Sequence, residues 1–78
     1  MHRTFLDDNL LEWEAYVSGG APNTPASARI YFVSRTDPFE RPRWVLEESG
    51  DVVIAENKLA EMDDEELARL LVDATPLD

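Results

Sequence analysis

The chain holds one histidine, His2, and no cysteine, which leaves few side chains able to serve as a base, a nucleophile or a soft metal ligand at neutral pH. A Ser-His-Asp relay would have to use His2, at the second position, where chains tend to fray. Thiolate and two-histidine zinc chemistry are excluded. Carboxylates are the other candidates. Glu12 and Glu14 stand two apart, the spacing that sets both on one strand face, and paired carboxylates can do acid–base work. Such work needs a cleft that excludes water, and alternating glutamates are also ordinary on a solvated face. Asp63-Asp64-Glu65-Glu66 is the densest acidic run, yet it lacks the alternating oxygen ligands, central glycine and terminal glutamate of a calcium loop. It fits the first turn of a helix, with weak attraction for divalent ions as the alternative. Gly19-Gly20 is followed by neither lysine nor a helix start, so it is no phosphate loop. No catalytic residue, metal ligand or cofactor site is assigned, and the chain reads as non-enzymatic.

Aromatic and cationic residues offer more. Tyr16, Arg29, Tyr31 and Arg35 fall at positions that alternation turns away from a core, with Val33 and Arg43 beside them. Tyrosine and arginine dominate protein–protein contacts, and aromatics beside arginines can also stack single-stranded bases. A polar face held by cross-strand pairs is the plain alternative. The net charge of −10 opposes binding to nucleic acid or to an anionic lipid surface. The expected partner is therefore another protein or a second copy of the chain, with Tyr16, Arg29, Tyr31 and Arg35 as candidate contacts. A rival reading is that of an acidic mimic occupying the basic groove of a DNA- or RNA-binding protein. Its motive is the segment from Gly50 to Asp78, where nine acidic and two basic residues give −7.

The elements that must position these residues follow from periodicity. Ala28, Ile30 and Phe32 alternate with Arg29, Tyr31 and Val33, the pattern of a half-buried central strand over Ser27–Arg35. Leu10–Ser18 alternates Leu11, Trp13, Ala15 and Val17 against Glu12, Glu14 and Tyr16. Asp7-Asp8-Asn9 suits a tight turn and makes Arg3–Leu6 a short edge strand hairpinned onto the next. Arg43–Glu48 is read as a further strand, with Trp44 and Leu46 inward and Arg43, Val45 and Glu47 outward. Pairing these strands in order puts Glu12, Glu14, Arg29, Arg35, Arg43 and Glu47 on one outer face.

Two loops separate the strands. The first, 19–26, holds two glycines and two prolines and is either a tolerated insertion or a binding loop. The second, 36–42, has Phe39 as a lid over the core edge or an exposed anchor.

Past Ser49-Gly50, Val52–Ala55 could form another strand across a tight turn. The spacing of Val52, Ala55, Leu59 and Met62 instead favours a helix capped by Ser49 or Asp51. A second helix, Asp63–Ala74, starts with Asp63 and Glu66 at capping-box spacing and carries Leu67, Leu70, Leu71 and Ala74 on one stripe; Thr75-Pro76 stops it.

The expected fold is one small α+β domain over residues 1–78. An antiparallel three- to four-stranded meander (3–48) precedes two C-terminal helices (51–75) packed on one face. Its core would be Trp13, Val17, Ile30, Phe32, Trp44, Leu46, Leu59, Met62, Leu67, Leu70 and Leu71. A chain of this length buries only about 60% of its unfolded surface, so the core has little margin. With no apolar run of signal-peptide or membrane-span length, a soluble cytoplasmic protein without membrane contact is expected.

Phe5-x-Asp7, then Trp13-Glu14-Ala15-Tyr16, then an ending of the form Leu59-Ala60-Glu61-Met62-Asp63-Asp64-Glu65-Glu66-Leu67, resembles certain small uncharacterised bacterial proteins. Their opening reads Phe-x-Asp-x-x-Gly-x-x-Trp-x-Val. Here Asn9-Leu10 stands where that pattern has glycine, and Ala15 where it has valine. The resemblance implies a fold and carries over no functional residue.

Overall fold

The computed structural model describes residues 2–18, 28–47 and 51–77. The 19–26 loop and the Ser49-Gly50 turn lie outside them. Five antiparallel strands, β1 (His2–Leu6), β2 (Glu12–Ser18), β3 (Arg29–Ser34), β4 (Arg43–Leu46) and β5 (Thr75–Pro76), form one sheet in sequence order. Helices α1 (Val52–Glu61) and α2 (Asp64–Asp73) lie between β4 and β5 in the chain. This is the expected meander with two C-terminal helices on one face, extended by a strand. The segment read as a helix stop, Thr75-Pro76, also pairs with Trp44 and Arg43, and the amide of Leu77 donates to the Pro42 carbonyl at 2.7 Å.

Hairpin geometry sets the register. The β1–β2 turn pairs Phe5 with Trp13 and His2 with Tyr16, and β2 pairs with β3 so that Ala15 faces Phe32 and Tyr16 faces Tyr31. Alternation then sends Phe5, Trp13, Ala15, Ile30 and Phe32 to the helix side, where they pack with Leu59, Leu67, Ala68 and Leu71. Trp13, Phe32, Leu59 and Leu67 are the largest side chains sealed completely. Met62, Leu70, Val17, Leu11 and Val45 close the margins.

Between Gly50 and Met62 the helical stripe wins over the strand. Asp51 caps α1 by accepting from the amides of Val53 and Ile54, and Ala55 and Leu59 turn inward. Asp63 caps α2 by accepting from the Glu66 amide, with Asp64, Glu65 and Glu66 in the first turn. Arg3, an inward-facing residue of the edge strand, ties the sheet to this helix pair. Its Nη1 donates to the carbonyls of Leu59 and Met62 at 2.8 Å and of Ala60 at 3.2 Å, at the negative end of α1. Its Nη2 lies 3.5 Å from Asp64. At the far end of α2, Arg43 Nη1 donates to the Leu71 carbonyl. So α2 runs from the β1 side of the sheet to the β4 side, where the chain enters β5.

Strand β4 corrects one expectation: its faces are the reverse of those read from alternation. Arg43 stands opposite Phe32 and Val45 opposite Ile30, on the core side. Trp44 stands opposite Tyr31, and Leu46 opposite Arg29, on the open side, where Leu46 is half exposed. Trp44 and Leu46 are thus no part of the core, and Arg43, Val45 and Glu47 no part of the outer face. In Arg43-Trp44-Val45-Leu46 both faces hold an apolar residue, so period alone does not choose between them. The charged residues find partners inside. The Arg43 guanidinium lies over the Trp13 ring at 5.4 Å and meets Glu40, while Glu47, only 5% exposed, receives Lys58 Nζ at 2.9 Å. A long arginine stem can cover an apolar edge while its head stays wet. Phe39 is likewise no lid, being 93% exposed.

Candidate functional site

Among the described residues, the helices cover one face of the sheet and leave the other open. Reading the register across it, His2, Tyr16, Tyr31, Trp44 and Thr75 form a single transverse row over all five strands. The rings are in contact along it: His2 and Tyr16 stack at 5.3 Å, and Tyr16 and Tyr31 at 5.6 Å, with planes 17° and 20° apart. Arg29, in the neighbouring register position, flanks the row as a cation, its guanidinium 4.5 Å from the centre of the Trp44 ring. Among the described residues Arg29 meets no carboxylate.

On the other side of the row lies a charge cluster. Arg35, just past β3, donates from Nε to Glu12 at 3.1 Å and from Nη1 to Glu14 at 2.8 Å, and His2 Nδ1 lies 2.9 Å from Glu14. The hydrogen bond from His2, helped by Arg35, holds the Glu14 carboxyl below the ordinary range despite some desolvation. Glu12 and Glu14 therefore do share a face, as acceptors for cations on the sheet.

The four candidate contacts, Tyr16, Arg29, Tyr31 and Arg35, all lie on this face. Sequence reasoning missed two neighbours. Its place near the terminus hides His2 from a reading of the sequence, although counting back from the turn through Phe5 and Trp13 puts it beside Tyr16. Alternation alone puts Trp44 in the core, and only the β3–β4 register reveals its true side.

A second cluster sits at the inner rim. Asp7 accepts from the amides of Asn9 and Leu11 through Oδ1, at 2.8 and 2.9 Å, and from Trp13 Nε1 through Oδ2 at 2.9 Å. Burial alone would raise its pKa; these three hydrogen bonds, with Arg43 nearby, outweigh burial and lower it. A shallow cleft of about 210 Å³ opens here between Asp8, Trp13, Glu40, Arg43 and Val72. Both oxygens of Asp7 are committed, so the carboxylate positions a turn and is poorly placed to take a proton. Within that turn Leu10 has φ of 64°, the left-handed region that favours glycine. Phe5, Asp7 and Trp13, which carry the resemblance noted above, and Leu10, where its pattern has glycine, thus build one β-turn and one edge of the core.

Elsewhere the chemistry is sparse. Among the described residues no three His, Asp or Glu side chains converge as metal ligands, and every buried side-chain nitrogen or oxygen has a partner. No helix among them is long and apolar enough to cross a membrane. No protein-family model, curated protein or solved structure matches the chain.

Proposed function

We propose that the chain is a small, non-enzymatic interaction module that meets another protein through the open sheet face. The row His2–Tyr16–Tyr31–Trp44, flanked by Arg29 over Trp44 and lying away from both helices, is the observation that carries this reading. Tyrosine, tryptophan and arginine are the residues in which contact energy concentrates, and ring-shaped side chains lose little entropy when they are fixed. Among the described residues the face is close to neutral, with Glu12 and Glu14 against Arg29 and Arg35. It does not select a strongly charged partner and gives no electrostatic attraction to nucleic acid. The setting we propose is cytoplasmic, where a chain without cysteine needs no oxidising environment to fold.

The acidic helical layer supports the rival reading, a mimic of nucleic acid in a basic groove. Residues 51–77 hold eight acidic side chains against Lys58 and Arg69, and most of the acidic ones are exposed. Cross-linking of the chain to its bound partner, with the linked residues mapped by mass spectrometry, separates the two. Contacts on β2, β3 and β4, lost with Tyr31→Ala and Arg35→Ala, support the open face. Contacts on α2, lost when Asp63 to Glu66 are neutralised, support the mimic.

A further inference from the structure

We infer that the protein seated on the open face is a second copy of this chain, the two sheets packed face to face about a two-fold axis lying along the aromatic row. The inference rests on the contact-surface reading above and names its occupant. Three observations carry it.

The first is where the charge lies. With a net charge of −10, two copies repel through almost any surface they present. Among the described residues the open face is balanced, its Glu12 and Glu14 matched by Arg29 and Arg35. Sheets pack about 10 Å apart, and each helical layer stands about another 10 Å behind its own sheet. Face-to-face packing therefore holds the two acidic layers roughly 30 Å apart, well beyond a Debye length of about 8 Å at physiological salt.

The second is the polarity of the face across the row. On one side Glu12 and Glu14 share Arg35, leaving that side negative; on the other side Arg29 is a cation without a carboxylate among the described residues. A two-fold axis along the row turns each copy over, setting the Arg29 side of one above the Glu14 side of the other. Arg29 is on β3 and Glu14 on the adjacent β2, an offset of about 4.8 Å that an arginine side chain spans. Both copies gain the same pair, as an isologous interface requires.

The third is the apolar content of the corners. Leu6 and Leu46, 49% and 53% exposed, stand at opposite ends of the face on β1 and β4, and packed sheets cover such positions. The face spans roughly 20 Å by 20 Å, a footprint at the low end for specific complexes, so association is weak and depends on concentration.

The experiment is solution mass by sedimentation equilibrium from roughly 1 μM to 1 mM, on the full chain and on the charge reversals Arg29→Glu and Glu14→Arg. Circular dichroism confirms that each variant is folded; Glu12→Arg replaces Glu14→Arg if the latter is not. The wild-type mass is expected to climb from 8.9 kDa toward twice that value. Each variant alone should associate at least about tenfold more weakly, because like charges then meet across the axis. An equimolar mixture of the two variants should regain the wild-type affinity, since both pairs become complementary again. A wild-type chain that stays monomeric throughout overturns the inference. So does a dimer insensitive to the reversals, or a mixture that fails to recover. If the chain is monomeric and cross-links to a different protein still map to Tyr31 and Arg35, the contact-surface reading survives without its second copy. If they map to α2, both fall.

Discussion

Two arginine–tryptophan pairs lie on opposite sides of this sheet, and they do different work. On the helix side Arg43 lies over Trp13, which is 2% exposed and donates its indole N–H to Asp7, while the guanidinium also reaches the Leu71 carbonyl and Glu40. Each group in that pair is held by at least one further bond, and together they join the β1–β2 turn, β4 and α2. On the open side Arg29 lies over Trp44, closer in distance, but the guanidinium has no other partner among the described residues. The same two residue types thus build structure where hydrogen bonds surround them and leave a surface where they do not. What decides between these roles is the network around the pair, because the cation–π attraction itself is only about 0.5–1 kcal/mol at exposed sites.

The sharpest way to break this comparison is to truncate both tryptophans. Trp13→Ala should cost about 3–5 kcal/mol, enough to approach the whole stability of a small domain, because it empties the core and strands Asp7. Trp44→Ala should cost about 1 kcal/mol, the scale of one aromatic contact on a half-covered face. Urea unfolding at low protein concentration measures both, and equal costs would mean that the open face is as structural as the core.

Truncating the arginines comes next. Arg43→Ala should lose about 1–3 kcal/mol with its bonds to the Leu71 carbonyl and Glu40, whereas Arg29→Ala should stay within about 0.5 kcal/mol of wild type.

Acid should sharpen the same contrast on both faces. The carboxyls of Asp7 and Glu14 are held below their ordinary values, so the folded state favours their ionised forms. Their contribution is therefore fully present above the ordinary carboxylate range and is lost as pH falls through it and past the lowered folded values. Thermal unfolding followed from pH 7 downward should show a flatter acid limb in Asp7→Ala and in Glu14→Gln than in wild type. One substitution is expected to give a gain. Leu10→Gly should raise stability by up to about 1 kcal/mol, since the left-handed backbone at φ 64° costs a leucine more than a glycine.

Most of the architecture was legible because it rests on local signals. Alternation marks β2 and β3 through Trp13, Ala15, Ile30 and Phe32, and Asp51 and Asp63 announce the helix starts by which amides they can accept from. Strand β4 was not legible in its facing. Its four residues carry apolar side chains on both sides, and the decision lies in partners remote in sequence: Leu71 and Trp13 for Arg43, Lys58 for Glu47. The fifth strand was hidden for a similar reason, since two residues form a strand only when β4 offers an edge to them. The same long-range register governs the candidate site. Tyr16, Arg29, Tyr31 and Arg35 were visible as one set from alternation within β2 and β3, whereas His2 and Trp44 join them only through pairing across the whole sheet.

The central claim is that the open face is a contact surface and the helix face is not. Hydroxyl-radical footprinting of the two tryptophans across a concentration series of the wild-type chain tests it most directly. Trp13 should stay protected throughout, while Trp44 should react in dilute solution and become protected as the chain associates. If Trp44 stays equally reactive as association proceeds, or if protection appears on α1 and α2 instead, the contact surface is elsewhere and the account is wrong.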